Sequence, residues 1–152
     1  MHCLKKQTMK LKINIESLAD EFFEETHIMG IVASLKNYQF VWQLNETLGY
    51  TFKLNPELEI EVVRKSRKYF FSVYEYRIPS TTLTHYLYHN QNAGEYLLPE
   101  FRNLDFLWLI KGDEVNNAEL SSLKQSLRDL PSVQFVDEMN HEKIKNKDHL
   151  IF

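Results

Sequence analysis

The sequence predicts a single α+β domain, a mostly antiparallel sheet of about six or seven strands with two amphipathic helices on one face. Three observations lead there. Two stretches carry three- and four-residue apolar spacing, and each lies between strand-like runs. Further strand-like runs arrive as a block between Leu58 and Ile110, which favours α+β over a regular alternation of strands and helices. Within that block, Leu104 to Ile110 carries one charge, Asp105, and reads as a strand buried on both faces at the centre of the sheet. A ferredoxin-like βαββαβ core with extra strands is one specific version of this plan.

Taken in order, residues 1–8 lack periodicity and are expected to fray, leaving a domain over 9–152. Met9, Leu11, Ile13 and Ile15 alternate with Lys10, Lys12 and Asn14, the pattern of a half-buried or edge strand. Ser17 to Glu25 is acidic and fits neither period well. His27 to Ser34 is the next strand, with Gly30 allowing a close backbone approach. Ser34 is placed to cap a first helix that carries Tyr38, Val41, Trp42, Asn45 and Leu48 on one face, with Trp42 in the core and Gln43 outside. Gly49 supplies the left-handed stop.

Tyr50 to Leu54 reads as a strand closed by an Asn55-Pro56 turn. Leu58 to Val63 and Tyr69 to Tyr76 are strand-like, joined by a solvated basic hairpin turn at Arg64-Lys65-Ser66-Arg67-Lys68. After a break at Ile78-Pro79-Ser80, Thr81 to His89 is a Thr- and Tyr-rich strand, and Asn90 to Gly94 is a turn. Beyond a loop at Gly112-Asp113-Glu114, Asn116 and Glu119 form a capping box for a second helix. That helix buries Leu120, Leu123, Leu127 and Leu130, turns Lys124, Ser126 and Arg128 outward, and ends at Pro131. Val133, Phe135 and Val136 suggest a last strand before a polar tail that closes on Leu150-Ile151-Phe152.

Composition bounds the function. A chain of 152 residues with ten Phe, eight Tyr and two Trp has enough apolar area for a core without disulfides. The one cysteine, Cys3, has no partner for an intramolecular bridge, and no segment reaches the ~20 apolar residues of a membrane span. The expectation is a soluble cytoplasmic protein with no membrane partner. A net charge of −3 argues against general phosphate-backbone affinity, and four glycines leave little material for a phosphate-cradling loop.

The segment Leu98-Pro99-Glu100-Phe101-Arg102-Asn103-Leu104-Asp105-Phe106 resembles the signature of the IPExxxVDY family of small bacterial proteins. Pro99, Glu100 and Asp105 match named positions, while Leu98, Leu104 and Phe106 stand in for Ile, Val and Tyr. Ile31 to Tyr38 and the terminal Leu150-Ile151-Phe152 are similar too. The family has no assigned biochemical activity, so the resemblance implies a bacterial protein and no chemistry.

Candidate residues follow from these stretches. Glu100 and Asp105 could act as paired carboxylates for acid–base work, and with Arg102 they are the residues assigned to a binding site. The plainer reading, which we favour, is that Glu100 accepts N–H groups in the turn fixed by Pro99 while Asp105 satisfies a neighbouring strand or an arginine. His85 and His89 are four apart, about 13 Å along a strand, too far to share an ion. Arg67 to Tyr74 faintly matches an RNA-stacking strand, so Arg64, Lys65, Arg67, Lys68, Tyr69 and Phe71 form the alternative, nucleic-acid reading, with core packing preferred. No cofactor, metal site or catalytic constellation is read. The expected function is a binding or interaction module with a protein or small-molecule partner, and a homo-oligomer is compatible with the sequence.

Overall fold

The structure, a computed structural model, describes residues 18–112 and 115–152. The expected frayed segment 1–8, Cys3, the strand over Met9 to Ile15, Ser17, and Asp113-Glu114 of the loop lie outside the described residues. A helix over 18–23 (α1) leads into β1 (Thr26–Ala33), α2 (Asn37–Leu48) and β2 (Lys53–Leu54). A 3-10 turn at Pro56–Leu58 precedes the hairpin β3 (Ile60–Arg64) and β4 (Arg67–Phe71), then β5 (Val73–Arg77) and β6 (Thr84–His89). The ribbon β7 (Gln91–Asn92) and β8 (Glu95–Tyr96) is followed by a 3-10 turn at Pro99–Phe101, then β9 (Phe106–Lys111), α3 (Asn117–Arg128) and β10 (Val133–Met139). Further 3-10 turns lie at His141–Lys143 and Lys147–Leu150.

Among the described residues, six strands form one sheet in the order β10-β1-β9-β6-β5-β2, and every neighbouring pair is antiparallel. The four strands β10-β1-β9-β6 follow the ferredoxin-like order, with α2 crossing from β1 towards β6 and α3 from β9 to β10, and β5 and β2 extend the sheet beyond β6 as extra strands. The central apolar run is this β9, and it is buried on both faces as its composition requires. Phe106, Trp108 and Ile110 face α2 and α3, together with Leu44, Leu120, Leu123 and Leu127. Leu107 and Leu109 face a lower layer made by the β3–β4 hairpin, Leu97, Leu98, Leu104, Phe23 and Leu150. Both helices therefore share one face of the sheet. No helix among the described residues is long and apolar enough to cross a membrane.

Several local expectations change for physical reasons. The run from Tyr69 to Tyr76 is two strands, because the chain leaves the lower layer at Ser72 and enters the main sheet at Val73. The strand at Tyr50 to Leu54 shrinks to Lys53–Leu54, since Asn45 brackets Phe52, accepting its N–H (2.9 Å) and donating to its carbonyl (3.1 Å). The cap of α2 is Lys36, whose N–H donates to the Gln39 side-chain oxygen Oε1 (3.3 Å), while Ser34 N–H donates to Ser132 O (2.9 Å). Gly49 ends α2 at φ 75°. Asn116 caps α3 by accepting Glu119 N–H (2.8 Å). At Gly30 an added Cβ would lie 2.6 Å from Leu104 Cδ1 and 2.9 Å from Met139 Sδ, so the missing side chain is what lets the lower layer close on β1.

The largest correction concerns α2. Its buried stripe is Phe40, Val41 and Leu44, whereas Tyr38 and Trp42 are 60% and 66% exposed. A shift of one residue turns a helix by about 100°, and both stripes satisfy the spacing rule. The wholly hydrocarbon side chains take the dry side, and the rings carrying an O–H and an N–H take the wet one. Leu123→Ala is therefore expected to destabilise by about 2–5 kcal/mol. Trp42→Ala should cost about 0.5 kcal/mol or less at low micromolar protein. Denaturant melts in which Trp42→Ala loses as much as Leu123→Ala would place α2 the other way round.

Candidate functional site

The segment from Leu97 to Asp105 is held from three sides. Leu97 and Leu98 are fully buried in the lower core, and Pro99 opens the 3-10 turn that carries Glu100. Asn90, at the end of β6, is fully buried and lies beneath this segment. Its amide donates to Phe101 O (2.9 Å) and Leu104 O (2.8 Å), and its side-chain oxygen accepts Leu98 N–H (2.9 Å). Its backbone N–H donates to Asp105 O (3.0 Å), and its carbonyl accepts Leu97 N–H (2.8 Å).

Glu100 accepts its own backbone N–H within the turn, as expected, and also reaches the C-terminal segment. Its carboxylate accepts Asn146 N–H (3.0 Å) and the Asn146 side-chain amide (2.7 Å). Burial raises the Glu100 carboxyl, but these bonds outweigh it and hold the group below its usual range. Asp105 accepts Ala33 N–H (2.9 Å), past the last regular β1–β9 pair. The two carboxylates thus serve different partners, and Arg102 is exposed beside the turn. His149 Nδ1 lies 2.8 Å from Leu97 O, and Tyr88 donates to Leu150 O (2.7 Å), closing the C-terminal segment over the lower core.

The β3–β4 hairpin turns at Lys65-Ser66, both at positive φ (49° and 65°) as a tight two-residue turn requires. Its inner face carries Tyr69 and Phe71, and Phe71 is 1% exposed. These rings pack the lower core, and Val63 and Phe70 face outward. Arg64 pairs with Glu95 (3.0 Å) and Lys68 with Glu61 (3.4 Å), while Lys65 and Arg67 are exposed. The stacking face that the nucleic-acid reading needs is therefore turned inward.

A buried polar cluster lies under α2. Trp108 Nε1–H donates to His85 Nδ1 (2.9 Å), with Tyr50 and Tyr76 packed around the His85 ring. Burial pushes His85 down to about 4, and the Trp108 N–H occupies the lone pair that a proton would take. Burial, with Tyr76 nearby, pushes Tyr50 up to about 12. His89, half-buried and stacked on Phe106, is also lowered by burial, with Asp105 opposing. Burial holds Lys111 at about 8, but its ammonium donates to Phe22 O and lies 3.4 Å from the Phe22 ring centroid, tying α1 to the sheet. Among the described residues no group of three or more His, Cys, Asp or Glu could hold a metal.

The feature the sequence reading missed is the outer face of α2. Leu35, Tyr38, Gln39, Trp42 and Gln43 line an open groove of about 510 Å³, and none of them is charged. Gln43 is fixed by Ser132, which donates to its carbonyl oxygen. The signal for this face was present in the fully apolar stripe through Phe40, Val41, Leu44 and Leu48, which leaves Tyr38 and Trp42 outside. Compared with known proteins, the chain matches no family model and no curated sequence.

The buried histidine gives a sign to the pH dependence. An unfolded His85 protonates near 6.5 and the folded one near 4, so stability is complete above about 6.5 and falls as the pH drops toward 4. The loss is on the order of 3 kcal/mol. Glu100, lowered from 4.5, adds a second loss that begins only below 4.5. Unfolding free energies measured from pH 7 to pH 3 should fall in both windows, and His85→Gln should reduce the fall in the upper one, leaving the smaller share of His89 there and the lower window unchanged. An unchanged slope above pH 4.5 in that variant would contradict the buried, neutral histidine.

Proposed function

We propose that this chain is a cytoplasmic interaction module without catalysis, of the IPExxxVDY kind in sequence, that docks its partner on the outer face of α2. One observation carries the reading. Two large aromatic side chains, Tyr38 and Trp42, stand one turn apart and mostly exposed on a helix fixed at both ends. Trp and Tyr are the residues that most often dominate binding energy, and interface cores are depleted in charge. The groove around them is uncharged, in a chain whose residues are 26% charged. The cytoplasmic setting is supported by a lone cysteine, and the family by the residues of the Leu98 to Phe106 signature.

The signature residues fit this reading because they are engaged elsewhere. Glu100 and Asp105 each bind a backbone N–H group of another segment, which leaves Arg102 and Asn103 as exposed polar side chains beside the turn. The test is a titration of 15N-labelled protein with small aromatic and aliphatic amide fragments. Amide shifts should cluster at Leu35, Tyr38, Gln39, Trp42 and Gln43 and vanish in Tyr38→Ala/Trp42→Ala. Shifts clustered at Glu100, Arg102 and Asp105 would return the site to the turn.

A further inference from the structure

We infer that the α2 face is a contact between two copies of this chain, packed helix against antiparallel helix about a two-fold axis. The inference rests on the reading of α2 as the interaction face and names its partner. A two-fold contact brings a patch against itself, so the patch must be self-complementary, and any charge at its centre would meet its own kind. The five lining residues satisfy this, since aromatic rings stack on one another and glutamine amides donate as well as accept. The Tyr38 hydroxyl adds an acceptor for the amide donors of Gln39 and Gln43.

The charges at the ends complete the match. α2 contains one charged residue, Glu46, near its C-terminal end, and Lys36 stands at its N-cap. Both are exposed, and among the described residues neither is in an ion pair. In an antiparallel pair centred between Tyr38 and Trp42, Glu46 comes within about a turn of Lys36 of the partner subunit, and the pairing occurs twice. A parallel pair would set like charges together at each end.

Other modes of self-association are opposed. β10 lies at one edge of the sheet among the described residues, and its pairing with β1 is interrupted by a bulge beside Ala33. Arg128 donates to Val136 O on that strand (3.2 Å), and Asp137 and Glu138 are exposed along it. The other edge, β2, has two residues and is followed by Pro56. Bulges, charges, short strands and proline all discourage edge pairing. The helix face is small: its two exposed rings contribute roughly 100–150 Å² each, or roughly 400–600 Å² over both copies, which is below the about 1,000 Å² of a stable interface, so the dimer is weak and reversible.

Sedimentation equilibrium of the full chain from about 5 to about 500 µM tests this, read beside iodide quenching of tryptophan. The chain has two tryptophans, and Trp108 is fully buried, so quenchable emission reports Trp42. The mass should rise from monomer toward dimer as the quenchable fraction falls. Trp42→Ala and Lys36→Glu should each weaken association about tenfold or more. Lys36→Glu/Glu46→Lys, which exchanges the end charges, should recover most of the loss. Mass that stays monomeric throughout overturns the proposal, as does a dimer indifferent to Trp42→Ala and Lys36→Glu. If fragment shifts still map to α2 in a monomeric protein, the interaction face stands with a different partner. If they do not, both readings fall.

Discussion

The path of the lower layer depends on one buried amide. Asn90 has no exposed surface, and its three side-chain hydrogen bonds reach Leu98, Phe101 and Leu104, while its backbone meets Leu97 and Asp105. A buried amide with unmet donors is costly, so this side chain both requires and enforces the fold of the segment around it. Leu97, Leu98 and Leu104 are thereby set under the sheet. Leu104 in turn occupies the space that Gly30 vacates on β1. The β6 and β9 strands are joined by a loop whose shape is specified from within.

From that anchor the polar residues of the signature acquire ordinary structural work. Asp105 extends the β1 contact by accepting Ala33 N–H, and Glu100 draws in the C-terminal segment through Asn146. The aromatic hairpin β3–β4 and the segment near Leu150 cover the remaining lower face. With the sheet covered on both sides, Tyr38 and Trp42 on the back of α2 are the most exposed aromatic side chains among the described residues. That is why the proposed docking face lies there and not at the most recognisable stretch of sequence.

The architecture was legible wherever one pattern dominated. The run at β9, the cap and leucine stripe of α3, the stop at Gly49 and the small residue at Gly30 each had a single physical solution. The misreadings arose where two solutions fitted the same spacing. Tyr38 and Trp42 satisfied the helical period as well as Phe40 and Leu44 did, and only packing against β9 decided between them. Asn90 was read as a turn residue because asparagine usually is one, and nothing local announces a buried hub whose partners lie 8 to 14 residues away. Of Glu100's partners only its own N–H is local, and a donor 46 residues distant leaves no trace in spacing.

The most direct measurement is native-state hydrogen exchange at three amides. Leu98, Ala33 and Asn146 N–H are each bonded to a side chain, that of Asn90, Asp105 and Glu100 respectively. If these side chains hold the segment in place, Leu98 and Ala33 should exchange within about tenfold of the β9 amides, and Asn146 should be clearly protected. Asn90→Ala should release Leu98 first. Exchange of Leu98 and Ala33 at the rate of an unstructured peptide, with β9 still protected, would contradict the account and free Glu100 and Asp105 for another role.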